Sequence, residues 1–87
     1  MKKLDKSTQF VKQLADLAFS NPKILSKIDK IIKNIQKEGA LNFHKGEKLK
    51  YFPNRYSCRI DKNNRLVYEK YKDVIVLLSC KGHYEDK

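Results

Sequence analysis

Six residues in the second half of the 87-residue chain carry groups suited to acid–base work on a phosphodiester: Glu47, Lys50, Arg59, Arg65, His83 and Tyr84. Cleaving RNA without a metal requires a base to take the proton of the 2′-hydroxyl. It also requires an acid to protonate the departing 5′-oxygen and cations to hold the charge that grows on the phosphate. Glu47 offers the base, His83 the acid, and Arg65 with Lys50 or Arg59 a cationic clamp; the product would be a 2′,3′-cyclic phosphate. Arginine suits the clamp because its planar fork meets two phosphate oxygens at once and stays charged. Such chemistry calls for no metal and no other cofactor. Each residue also has a plainer reading. Glu47 among lysines suits a surface ion pair worth ~0 to 1 kcal/mol, Arg65 suits a pairing with Asp61 across a hairpin, and His83-Tyr84 suits a frayed end.

Three strand-like runs would have to position these groups. Residues 56–60 (YSCRI) alternate, with Tyr56, Cys58 and Ile60 on one face and Ser57, Arg59 and Asp61 on the other. In the next run Leu66, Tyr68 and Lys70 oppose Arg65, Val67 and Glu69. Asn63-Asn64 between them suits a tight hairpin turn, because asparagine tolerates left-handed backbone. After a second turn at Lys72-Asp73, residues 74–80 (VIVLLSC) are apolar except for Ser79, which predicts a strand inside the sheet covered on both faces. Arg59 and Arg65 share a face only if the pairing register allows it, and sequence alone does not fix register.

Upstream, Ser7 or Thr8 caps an amphipathic helix with the stripe Phe10, Leu14, Leu17 and Ala18. Asn21-Pro22 breaks the chain and starts a second helix, Pro22 taking its first position. Ile24, Leu25, Ile28, Ile31, Ile32 and Ile35 form its apolar face, with Lys27, Lys30, Lys33 and Lys37 off it and Gly39 as its C-terminal cap. The short connection suggests an antiparallel helical hairpin. The lysines read as a solvated face or as a basic ridge against RNA. Residues 1–6 make a short edge strand, and residues 40–54 an irregular connection long enough to be functional, which Leu49 pins to the core. The expected fold is α+β, a single domain over residues 1–87. Two N-terminal helices pack on one face of a small, mainly antiparallel sheet.

A chain of this length buries about 60 to 65 % of its unfolded surface, too little to cover both faces of a sheet. One face is left for a partner. Twenty Lys and Arg against ten Asp and Glu give a formal charge of +10, a field that favours polyanions. MKKLDKSTQF holds no apolar core of ~7 to 15 residues and no run approaches the ~18 of a membrane span, so a cytoplasmic protein without a leader or membrane contact is expected. Cys58 and Cys80 lack metal-ligand spacing; they read as reduced, buried thiols, with a disulfide as the alternative.

GEKLK (46–50), YSCRI (56–60), NNRLVY (63–68) and SCKGHY (79–84), in that order and at those separations, resemble the RelE-superfamily toxins of bacterial type II toxin-antitoxin modules, specifically the YoeB (Txe) branch. That branch shows P-E-x-L-K, W-S-R-R-I, H-R-L-V-Y and a last strand ending in C-R-x-H-Y. The resemblance implies an mRNA interferase, an endoribonuclease that enters the ribosomal A site, cuts the codon there and inhibits translation. It places Glu47 on the general base, Arg65 on the arginine that stabilises the transition state, and His83 on the general acid. Tyr84 falls on a substrate-positioning aromatic, and Lys50 and Arg59 on basic residues near the scissile phosphate. The implied partners are a cognate antitoxin, with operator DNA reached only through their complex, and the ribosome with its mRNA. A homodimer is a further possibility within the family.

Four departures stand out. Gly46 replaces proline before the base, Tyr56 replaces tryptophan while keeping an aromatic for stacking on RNA, and Cys58 replaces the first arginine of the pair, weakening the phosphate grip. Glu85, Asp86 and Lys87 extend the terminus, and two carboxylates beside His83 favour its protonated form. Two other functions compete: a ParE-like toxin that binds DNA gyrase without catalysis, and an inactive ribosome- or RNA-binding module.

Overall fold

The computed structural model describes residues 3–38, 47–48 and 52–82. In chain order these form β1 (Lys3–Lys6), α1 (Thr8–Ser20), α2 (Lys23–Glu38), β2 (Glu47–Lys48), β3 (Arg55–Arg59), β4 (Arg65–Lys70) and β5 (Val74–Ser79). The strands make one five-stranded sheet in the order β1-β5-β4-β3-β2. β2, β3, β4 and β5 pair antiparallel, and β1 lies parallel to β5. A parallel neighbour needs a crossover connection. Here the whole helical pair and the hairpins that follow lie between β1 and β5.

Both helices start as their sequences dictate. Ser7 caps α1, its hydroxyl accepting the Phe10 N–H at 3.0 Å and donating to the Leu78 carbonyl at 2.9 Å, so one side chain ends a helix and fastens it to β5. A cap of this kind contributes about 1 kcal/mol. The chain turns at Asn21-Pro22, where the Asn21 carbonyl accepts the Ile24 N–H at 3.0 Å. α2 then begins at Lys23, one residue later than the proline rule suggests. Ile24, Ile28, Ile31 and Ile35 are buried, Leu25 and Ile32 are half-buried, and the α2 lysines are exposed. Phe10 and Leu17 of α1 join them, whereas Ala18 stays exposed.

The sheet answers with Cys58, Ile60, Leu66, Tyr68, Ile75, Leu77 and Cys80, all on its helix side. Each large side chain so buried contributes roughly 1.5 to 3 kcal/mol. β5 is an inner strand as expected, but it is fully covered on one face only: Ile75 and Leu77 are buried while Val74, Val76 and Leu78 are half-buried. An unbroken apolar run therefore overstated its cover. The reason is a register shift, in which Tyr68 pairs with Leu77 but Val67 pairs with Ser79, leaving Leu78 as an extra residue. Past that bulge the alternation inverts, so Ser79 leaves the core face and Cys80 enters it.

The β3–β4 connection is an Asx-type turn. One Asp61 carboxylate oxygen accepts from the Asn63 and Asn64 backbone N–H groups, both at 2.9 Å, and from the Asn64 carboxamide at 3.1 Å. Residues 40–54 are not wholly irregular, since β2 pairs there with β3. Gly39, Gly46 and Leu49 lie outside the described residues.

Candidate active site

The face of the sheet turned away from the helices carries the polar residues. Pairing places Arg59 directly opposite Arg65, Ser57 opposite Val67, and Arg55 opposite Glu69. The register question left open by the sequence thus resolves in favour of a shared arginine face. β2 adds position 47 directly across from Ser57. Glu47, Ser57 and Val67 occupy one cross-strand row, with the two arginines one step along it.

Arg65 is held where it stands. Its Nε donates to Ser57 Oγ at 2.7 Å, and Ser57 is only 2 % exposed. The Arg65 backbone N–H donates to the Gly82 carbonyl at 3.0 Å, while the Gly82 N–H donates to the Asn64 carboxamide oxygen at 2.9 Å. Gly82 has φ +81°, a left-handed conformation that suits glycine. From α1, the Gln13 side-chain oxygen accepts the Cys80 and Lys81 N–H groups at 2.8 and 3.2 Å. These contacts fix the chain beside Arg65 up to residue 82. Asp61 accepts hydrogen bonds within its own turn.

Two like charges directly opposite each other are unfavourable in a sheet. An anion placed between Arg59 and Arg65 would relieve that repulsion. Arg59 is exposed. Nearby, Arg55 is neutralised: its Nε and a terminal nitrogen donate to one Glu69 oxygen at 3.1 and 2.8 Å, and its guanidinium lies 4.1 Å above the centre of the Phe52 ring. The Arg55 hydrogen bond holds the Glu69 carboxyl below its ordinary range, helped by the Tyr71 hydroxyl donating at 2.8 Å.

Two sequence-level assignments change. Tyr56 does not lie on the arginine face. It packs against the core and stacks on Tyr68 with ring centres 5.6 Å apart and planes at 15°, because strand alternation sends even-numbered positions of β3 toward the helices. Cys58 lies on that inner face too, 2 % exposed, so cysteine there removes no cation from the arginine face. Cys58 and Cys80 are free and buried, and burial pushes each thiol up to about 11, offset at Cys58 by the nearby Arg65 charge. Burial also raises the Tyr68 hydroxyl.

Lys50, His83 and Tyr84 lie outside the described residues, as do Glu85, Asp86 and Lys87. Among the described residues, no group of three His, Cys, Asp or Glu could hold a metal, and no helix is long and apolar enough to cross a membrane. Sequence reasoning missed Ser57 as the support of Arg65, and it missed the Arg55–Glu69 pair. The alternation of β3 already put Ser57 and Arg59 on one face, but the pairing offset that brings Arg65 beside Ser57 has no local signal.

Two helices over one face of a mixed sheet, with arginines paired on the other, define a small basic α+β protein whose open face suits an anionic partner. Solved structures share this architecture throughout. A YoeB dimer from Staphylococcus aureus is 33 % identical with a TM-score of 0.85, over 95 % of this chain and 98 % of that one. A YoeB–YefM complex from the same organism is 35 % identical with a TM-score of 0.81, over 97 % and 99 %. A YoeB/ParE toxin from Agrobacterium tumefaciens, 22 % identical with a TM-score of 0.83 over 94 % and 99 %, shares the fold. No curated protein matches the chain in sequence. The family model for YoeB-like toxins of bacterial type II toxin-antitoxin systems matches residues 7–84. The chain belongs to that family.

Proposed function

We propose that this protein is a ribosome-dependent mRNA endonuclease that cuts the A-site codon and so blocks translation. The observation that carries the reading is the arginine pair: Arg59 and Arg65 face each other beside Ser57, with position 47 across from that serine, in a chain of the YoeB family. Glu47 takes the proton of the 2′-hydroxyl, whose oxygen attacks phosphorus. As that bond forms, the bond to the 5′-oxygen breaks, and His83 gives the leaving oxygen its proton. Arg65 stabilises the charge gathered on the phosphoryl oxygens, Arg59 and Lys50 hold the phosphate, and Tyr84 positions the substrate. The products are a 2′,3′-cyclic phosphate and a 5′-hydroxyl, and no metal takes part.

So sparse a site gains from a ribosome that orients the 2′-hydroxyl, since positioning alone contributes about 7 to 11 kcal/mol to lowering a barrier. A cognate antitoxin restrains the protein, as the YoeB–YefM complex suggests by analogy. Its acidic segment folds over the basic face on binding. Homodimerisation follows by the same analogy, and a cytoplasmic location follows from a ribosomal target.

Primer extension on mRNA programmed into ribosomes with a chosen A-site codon tests this, comparing wild type with Glu47→Ala and His83→Ala. Cuts at that codon are expected from wild type and absent from both variants. Cuts retained in both variants refute the residue roles, and folded wild type that makes no cuts refutes the activity.

A further inference from the structure

The row through Glu47, Ser57 and Val67 continues to a second place on the same face. Val67 is paired with Ser57 on one side and Ser79 on the other, so Ser79 lies two strand spacings, about 10 Å, from Ser57. Ser79 reaches this row only through the β5 bulge. With Leu78, Val67, Arg55, Ser7 and Gln9 it lines a depression of about 270 Å³.

The lining divides by chemistry. Val67 and Leu78 give an apolar base. The Ser7 hydroxyl is committed to the α1 cap and the Leu78 carbonyl, and the Arg55 guanidinium is engaged by Glu69 and Phe52. The Ser79 hydroxyl and the Gln9 carboxamide have no partner among the described residues. Each both donates and accepts hydrogen bonds. A phosphate would suit the Arg59–Arg65 pair, one step along the strands from this row. An apolar base with two neutral groups able to donate and accept suits a flat ring with polar edges, the features of a base splayed out of single-stranded RNA.

We propose that this depression is a nucleobase subsite, which takes the base of the nucleotide adjoining the scissile linkage and reads its edge through Ser79 and Gln9. The inference rests on the cleavage reading for its place in the substrate path. It adds a specificity device that a phosphate clamp cannot supply, since phosphates carry no sequence information.

The test uses ribosomes programmed with A-site codons that differ in one base at each position, with wild type, Gln9→Ala, Ser79→Ala and Ser79→Thr. The readout is the ratio of cutting among the four bases, which a general loss of activity leaves unmoved. At one codon position both alanine variants should flatten that ratio by about fivefold or more, with threonine retaining it. Ratios unchanged from wild type overturn the subsite. A second measurement does not depend on cleavage: titration of isotopically labelled protein with 2′-deoxy-substituted RNA trinucleotides, followed by amide shifts. Saturable shifts at Gln9 and Ser79 support the subsite even where wild type proves unable to cut, and shifts confined to β2, β3 and Arg65, or no shifts at all, overturn it.

Discussion

The two faces of this one sheet follow opposite rules. Toward the helices the described strand positions are apolar or aromatic apart from Lys6 and Lys70 at strand ends, and Phe10, Ile28, Leu66, Tyr68, Ile75 and Leu77 are almost wholly excluded from water. On the other face, β3 and β4 present Arg55, Ser57, Arg59, Arg65 and Glu69, with Val67 as their apolar centre. The inner face gains from burial, which is non-directional and tolerates exchange of one hydrophobe for another of similar size. On the outer face two arginines stand in direct opposition, an arrangement that is unfavourable in a sheet by itself. The difference teaches where substitutions should register: as stability on one side, as activity on the other.

The largest expected effects set the two faces against each other. Ile28→Ala should lower unfolding free energy by about 2 to 5 kcal/mol, measured by urea denaturation followed by circular dichroism. Arg65→Ala should reduce A-site cleavage by about 10²- to 10³-fold, with a much smaller change in the urea midpoint. If Arg65→Ala unfolds the protein as Ile28→Ala does, the division between faces fails.

Ser57 sharpens the division because it is buried yet belongs to the outer face. Loss of its hydroxyl leaves the Arg65 guanidinium without a contact of 2.7 Å, and a hydrogen bond to a charged group is worth ~1.5 to 3 kcal/mol. Ser57→Ala should therefore slow single-turnover cleavage by about tenfold or more, and Ser57→Thr should recover part of it if the added methyl is accommodated. Equal rates for wild type and Ser57→Ala would show that Arg65 is held by other contacts.

The helices, an N-cap at Ser7 or Thr8, the three strands of the second half and their two faces were legible from period and turn residues alone. These signals are local, and local signals survive in a single sequence. What was not legible came from pairing. The parallel docking of β1 on β5 joins residues about seventy positions apart, and the bulge that turns Ser79 outward depends on the opposite strand. Within the site, alternation correctly put Ser57 with Arg59 and Val67 with Arg65. Family resemblance misled at Tyr56 and Cys58, because a motif gives residue types without the face they occupy, and both turn inward. The Asn64 side chain that holds Gly82, and the Gln13 side chain that holds Cys80 and Lys81, carry no pattern a sequence displays.

The inner face also holds a buried polar atom. The Tyr68 hydroxyl has no hydrogen-bond partner among the described residues, and such a group carries a desolvation cost of ~1 to 3 kcal/mol. Tyr68→Phe keeps the ring stacked on Tyr56 and removes only that oxygen. Stability should rise by about 1 kcal/mol, read as a higher urea midpoint at unchanged slope. A lower midpoint would mean that the hydroxyl is paired in solution.

The smallest effect lies on the outer face, at the Arg55–Glu69 ion pair. Arg55 holds the Glu69 carboxyl below its ordinary value of 4.5 in the folded protein. The unfolded chain therefore binds the proton more readily, so the pair's contribution is fully present above about pH 4.5 and is lost as pH falls through the lower folded value. With both side chains about a fifth to a quarter exposed, that contribution should not exceed about 1 kcal/mol. Urea midpoints of wild type and Glu69→Gln should differ at pH 6 and draw together as pH falls below about 4.5. A constant gap across that range would show that Glu69 acts through packing rather than charge.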